Sequence, residues 1–183
     1  MLQVNVLGPL SLTKAVLPHM LDRREGHVVC TSSVAGKFGI PGLGAYCCSK
    51  TALQGAFDCL RNEMHDRNIH VTIVVGGPFF SELLLHAFTE TADQVRMQFV
   101  LRNPESLGLE MKPEEKRMLT EEFAHHMAVA VANKLDEAWI SVYPELAYLY
   151  INQYFPAFAK RLMVIVGQKR LQKIREGKRD LHS

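Results

Sequence analysis

Two short runs of apolar, β-branched residues, His27-Val28-Val29-Cys30-Thr31 and His70-Val71-Thr72-Ile73-Val74-Val75, flank a segment of helical period. Nothing else in the chain narrows its fold as far. The first run breaks into Ser32-Ser33 and a Gly-rich loop from Gly36 to Gly44, and the second into Gly76-Gly77-Pro78. Between them Ala52, Leu53, Ala56, Phe57, Leu60 and Met64 recur at the helical spacing from Ala45 to about Asp66, with Asn68 as the stop. Strand, helix and strand in that order make a right-handed crossover between parallel strands, covered by helices. The second run shows no polar alternation and is expected to be buried on both faces.

The flanking segments extend the alternation. Val4 to Arg24 is apolar at Val6, Leu10, Leu12, Val16, Leu17, Met20 and Leu21, which predicts a buried helix stopping at Glu25-Gly26. Thr120 is placed to cap a helix running to about Leu135, with Glu121 and Glu122 favoured at the positive end of its dipole. Trp139-Ile140-Ser141-Val142 predicts a third strand, and Pro144 to about Gly177 predicts helix broken at Pro156. Phe79 to Met118 contains no clear strand, and a stretch of that length without one is expected to cover a site. Its apolar patch, Phe79, Phe80, Leu83, Leu84, Leu85 and Phe88, suits a lipophilic ligand. The fold class is α/β.

With 183 residues, 48% of them apolar and 22% charged, the chain has the balance of one globular domain, which excludes disorder, collagen and low-complexity arrays. The four cysteines, Cys30, Cys47, Cys48 and Cys59, are too few for a disulfide framework and lack metal-ligand spacing, so free thiols are expected. Cys47 and Cys48 read as core thiols. His125-His126 are adjacent on a helix and point apart, and His65 and His70 have no carboxylate at ligand spacing, so no metal site is expected. The opening MLQVNVLGPLSLTKAV has neither a basic n-region nor a cleavage site and reads as the interior of a domain. Charge is unevenly placed. Residues 160–183 carry eight basic side chains against Glu176 and Asp180, a net +6, which leaves −4 for the rest of the chain. That tail suits an anionic membrane surface, or is simply a solvated helix face; nucleic acid is not the expected partner. The charge-free stretch Leu146 to Ala159, closed by Lys160-Arg161, is too short to span a bilayer and leaves an interfacial helix as one reading and a packed or dimer-forming helix as the other.

Chemistry concentrates around Tyr46 and Lys50. On a helix they stand at i and i+4 and share a face. An ammonium held near a phenol favours the phenolate, so such a tyrosine can move protons near neutral pH. Ser33, thirteen residues before Tyr46, stands at the exit of the preceding strand, the carboxyl edge of a parallel sheet, where such folds place ligands. Its hydroxyl is suited to hold a carbonyl oxygen. A lone Tyr-x-x-x-Lys pair is usually chance; the Ser-rich exit before it and the Gly-Gly-Pro exit after it make chance much less attractive.

Ser33, Tyr46 and Lys50 at this spacing, with the Asn5-Val-Leu-Gly8 segment and the Gly77-Pro78…Ser81 turn, resemble the classical short-chain dehydrogenases/reductases, over nearly the whole chain. The segments NVLGPLSLTKAVLPHM and AFDCLRNEM, the WIS strand and the turn Tyr154-Phe155-Pro156 look most like the membrane-associated members of that family. The resemblance implies the C-terminal half of a Rossmann-like doubly wound parallel sheet: a single partial domain over 1–183, with a catalytic half (1–142) and a helical, basic C-terminal part (143–183). It implies hydride transfer between NAD(P)(H) and a carbonyl or alcohol, with NADP(H) the expected form and a lipophilic, steroid- or retinoid-like small molecule as substrate. Tyr46 would be the general acid/base, and Lys50 its charged neighbour and a ribose ligand. Ser33 would polarise the substrate, and Asn5 would anchor a water relay to Lys50. Gly77, Pro78 and Ser81 would pack beside the nicotinamide. One departure is local: the family's usual Pro-Gly stands here as Gly76-Gly77. A larger one is the Gly-rich pyrophosphate turn, since no G-x-x-x-G-x-G or G-x-G-x-x-G occurs in the 183 residues. The competing expectation is thus a truncated, inactive fragment or isoform serving association or membrane attachment. An endoplasmic reticulum membrane surface is the expected location, with the cytoplasm as the alternative and a homodimer as a further expected partner.

Overall fold

The computed structural model describes residues 1–79 and 117–179. Three parallel strands, β1 (Gly26–Ser33), β2 (Ile69–Gly76) and β3 (Glu137–Ile140), form one sheet in the order β1-β2-β3. In register, Gly26 lies opposite Ile69 and Ser33 opposite Gly76, so the first two strands end together at the carboxyl edge. The chain reaches β1 through helix α1 (Gly8–Arg23), crosses to β2 by α2 (Gly44–Met64), and enters β3 from α3 (Thr120–Ala132). Two further helices, α4 (Glu145–Tyr154) and α5 (Pro156–Arg179), follow β3. The expected class and the parallel crossover are both present.

Strand β2 is the keel. All but one of its residues are buried, and Ile73, Val74 and Val75 have no exposed surface, so an apolar run without alternation has become a strand covered on both faces. On one face Leu53 and Phe57 of α2 and Leu149 of α4 meet Val28, Cys30, Val71 and Ile73. On the other, Phe123 and Ala130 of α3 close over Val74, Ala138 and Ile140.

The expectations for the secondary-structure elements fail in three places. No residue of α1 is buried: Leu10, Leu17, Met20 and Leu21 press one face onto the core, while Leu12 and Val16 stand 71% and 44% exposed. The periodicity identified the packing face but carries no information on whether a second layer covers the other. Leu119, not Thr120, is the N-cap of α3, and Thr120 is its first helical residue. Strand β3 lies two residues earlier than expected, because Glu137 at its head is held by Lys37 Nζ at 2.7 Å and by the Trp139 indole N–H. The patch Phe80 to Phe88 lies outside the described residues.

All four cysteines are free thiols. Cys30 and Cys47 are buried, whereas Cys48 and Cys59 are exposed, so the expectation of a core thiol holds at Cys47 and fails at Cys48, which helix geometry turns by about 100° from its neighbour. Burial pushes the Cys30 thiol up to about 11, against a smaller opposing pull from Lys50. A raised folded-state value means that the contribution of the neutral thiol to stability is complete below pH 9.0 and is lost as pH rises through about 11. Accordingly, Cys30→Val is expected to flatten the alkaline loss of stability between those limits, measured by urea unfolding at pH 8 to 11; a variant whose loss matches that of the parent would refute it.

Candidate active site

Ser33 stands at the carboxyl edge of the sheet, and Tyr46 and Lys50 stand on the first two turns of α2. Ser33 is the last residue of β1 and caps a short 3₁₀ turn, Val34–Gly36, its Oγ accepting from the Ala35 backbone N–H at 3.2 Å. With a lone pair so engaged, the hydroxyl proton is free to be donated outward. Tyr46 and Lys50 stand one turn apart on α2, with Lys50 Nζ 5.9 Å from the centre of the Tyr46 ring. Lys50 Nζ also donates to the Thr31 carbonyl at 3.1 Å, which ties the helix to the strand at the point where the strand ends. Burial holds the Lys50 ammonium below the ordinary lysine range, with nearby Cys30 acting in the opposite direction.

Several residues that sequence reasoning did not single out hold this arrangement. Gln54 is buried and donates from Nε2 to Ser32 Oγ at 2.7 Å and to the Ser33 carbonyl at 3.2 Å. Ser32, itself buried, donates to the Lys50 carbonyl at 3.3 Å. Thr51 Oγ1 donates to the Gly36 carbonyl at 3.1 Å. Gly36 is the residue that allows the turn to lie this close, since a Cβ there would meet the Gln54 amide and the Lys50 carbonyl. The one available signal was a polar residue, Gln54, on the face of α2 that Leu53 and Phe57 mark as inward.

Asn5 sits in a π-helical turn, Gln3–Leu7, ahead of α1. Such wide turns are rare and frequent at functional positions. Its Nδ2 donates to Ser49 Oγ at 3.1 Å, and Ser49, with no exposed surface, passes its own proton to the Tyr46 carbonyl at 2.8 Å. The structure therefore connects Asn5 to the helix backbone beside Lys50 through Ser49. Gly77 follows β2 and donates its N–H to the Ile140 carbonyl at 2.8 Å. Its missing side chain is explained by the close approach of Ser141, on which a Cβ would fall. Pro78 continues the turn, and Ser81 lies outside the described residues. Among the described residues no cluster of three metal-ligating side chains occurs.

A parallel-sheet edge carrying a Tyr/Lys pair and a strand-end serine is the architecture of a known class. Residues 1–91 match the family model described as short chain dehydrogenase. The chain belongs to the short-chain dehydrogenase/reductase family of oxidoreductases. It is similar to Dehydrogenase/reductase SDR family member 7 of Mus musculus, with 34% identity over 173 residues, covering 94% of this chain and 48% of the relative. Family member 7B of Mus musculus is 47% identical over 88 residues, 48% of this chain and 27% of that one. The chain thus spans about half the length of the family member 7 sequence it matches. The fold is that of a short chain dehydrogenase from Burkholderia cenocepacia J2315 in complex with NADP, with a TM-score of 0.64 at 16% identity over 88% of this chain and 57% of that one. A second, from Burkholderia phymatum in complex with NAD, gives 0.60 at 20% identity over 83% and 56%.

Proposed function

We propose that this chain is the catalytic half of an NAD(P)(H)-dependent oxidoreductase acting on a lipophilic carbonyl or alcohol. The observation that carries the reading is the Tyr46/Lys50 pair on one face of α2, with Lys50 Nζ fixed on the Thr31 carbonyl two residues before Ser33 at the strand end. Lys50 would hold a nicotinamide cofactor by its ribose at this edge, since it spends one of its N–H donors on Thr31 and retains others for ribose hydroxyls. The nucleotide supplies or takes up the hydride. Ser33 donates its hydroxyl proton to the substrate oxygen and polarises the carbonyl. Tyr46 gives that oxygen its proton on reduction and receives it on oxidation. Lys50 holds positive charge beside the phenol, and Asn5 with Ser49 keeps the start of α2 in place. NADP(H) is the proposed form.

The reading is tested by Lys50→Met in a full-length context. Loss of the ammonium is expected to move the rising limb of the pH profile for alcohol oxidation to higher pH and to weaken cofactor binding. A profile superimposable on that of the parent would reject this role.

The second reading, an inactive fragment serving attachment, draws on the absence of a Gly-rich turn from the sequence and on the surface of the C-terminal helices. Phe155, Phe158, Ile165 and Val166 are between 50% and 66% exposed beside Lys160 and Arg161. Among the described residues no helix is long and apolar enough to cross a membrane. We propose that this face lies on an anionic lipid surface, the endoplasmic reticulum membrane being the proposed site, with a homodimer interface as the rival occupant. The protein is expected to float with anionic liposomes at low salt and to be released as salt rises, because screening weakens the contribution of roughly 1 kcal/mol from each Lys or Arg near the headgroups. Failure to float at low salt would remove the lipid model.

A further inference from the structure

At the amino ends of the strands, the far end of the sheet from Ser33, a hollow of about 350 Å³ opens between the last turn of α1, the heads of β1 and β2 and the turn that follows α3. Arg23, His27, His70 and Lys134 line it from those four places, with Glu25 and Asn68 between them. The volume lies in the range of small-molecule sites, roughly 300–1,000 Å³. Ser33, Tyr46 and Lys50 do not border it.

Its charge is one-sided. Among the described residues neither Arg23 nor Lys134 has an ion-pair partner, and the Glu25 carboxylate lies beyond ion-pair distance of both. His27 and His70 stand opposite each other in the register of β1 and β2, so their side chains share one face of the sheet, with ring centres 6.1 Å apart. Both are half-buried, and Nε2 of His27 lies 2.8 Å from Oγ1 of Thr72, a residue with no exposed surface. Burial first, then the neighbouring His70 and Lys134, hold the His27 imidazole below the ordinary histidine range. A helix dipole favours a basic side chain in the last turn, which accounts for Arg23. It does not account for two imidazoles on neighbouring strands within the field of Lys134.

We propose that this hollow binds a small, doubly charged oxyanion of the phosphate type, held between Arg23 and Lys134 with His27 and His70 as further donors. The guanidinium offers paired N–H groups and the ammonium a point charge, two modes by which phosphate oxygens are held. An anion beside the imidazoles favours the charged forms that Lys134 opposes, so binding takes up protons at His27 and His70 and strengthens as pH falls. Arg23, Glu25, Lys134 and Thr72 are the other groups around the two rings that set this balance. The site is separate from the proposed oxidoreductase chemistry and stands or falls without it.

The test follows the imidazole carbon-bound protons by NMR while inorganic phosphate is titrated into the 183-residue chain at constant ionic strength. The His27 and His70 signals are expected to move along one saturating curve. Arg23→Gln and Lys134→Asn are each expected to weaken that binding about tenfold, the scale of one charge-assisted hydrogen bond, whereas Lys14→Gln, on α1 outside the hollow, leaves it unchanged. Asparagine is chosen because Lys134 has a φ of 52°, a left-handed conformation that asparagine tolerates. Sulfate, doubly charged throughout the histidine range, is expected to bind more tightly at pH 6 than at pH 8. Methyl phosphate distinguishes the sources: binding equal to that of phosphate identifies a phosphorylated small molecule as the ligand, and its exclusion identifies the free ion. Shifts that grow without saturating, affinity that survives both variants or falls equally in Lys14→Gln, or sulfate affinity that does not change with pH would each overturn the proposal.

Discussion

Tyr46→Phe is expected to lower turnover by about a hundredfold or more, the scale on which a positioned acid or base contributes, while the fold and cofactor affinity stay as they are. The measurement belongs in a full-length context. The substitution removes one oxygen. Around it α2 keeps its hold on the sheet through Lys50 and Thr31, Gln54 and Ser32, and Thr51 and Gly36, none of which involves the phenol. Circular dichroism matching the parent, together with lost activity, is therefore the expected pair of results. Near-normal turnover at unchanged cofactor affinity would remove Tyr46 from the chemistry.

A second expected result concerns the 183 residues as they stand: titration with NADH or NADPH should give no measurable binding. On the proposed reading, the groups at the carboxyl edge would meet only one end of a dinucleotide. A pyrophosphate is held by backbone N–H groups at the N-terminus of a helix that a Gly-rich turn introduces, and the sequence contains no such turn. Fluorescence titration decides it, since a micromolar dissociation constant would show that the edge formed by Lys50, Tyr46 and Gly77 suffices alone. The two experiments divide the proposed function cleanly: the first tests chemistry at the site, the second tests whether this stretch of chain binds its cofactor unaided.

Much of the fold was legible because burial in a parallel sheet leaves a direct mark. The run from Val71 to Val75 has no polar residue other than Thr72, and it became the strand with the deepest burial. The boundaries of α2 and the break between α4 and α5 at Phe155 followed from period and proline. What stayed hidden depended on neighbours remote in sequence. The exposure of Leu12 and Val16 is set by what lies beyond α1, which periodicity does not record. The early start of β3 is set by a pairing between Lys37 and Glu137, a hundred residues apart. At the site, Tyr46, Lys50 and Ser33 were legible as a spacing; Ser49 and Gln54 were not, because a polar side chain on an inward helix face is indistinguishable from a surface one until its partner is placed.

The side-chain bonds that fasten α2 to the strand end join residues only 15 to 22 positions apart, between Thr31 and Gln54. Closing loops of that size is entropically cheap, and short-range contacts are the ones that rapid folding favours. In the order of assembly, then, the junction of β1 and α2 that carries Ser33, Tyr46 and Lys50 belongs among the first parts of the chain to take shape. Asn5 joins it from 44 residues away, and Asn152 of α4 bonds to the Lys37 carbonyl in the loop after β1 from 115 residues away. During synthesis this junction would be in position before the C-terminal helices exist to pack against the loop that follows it.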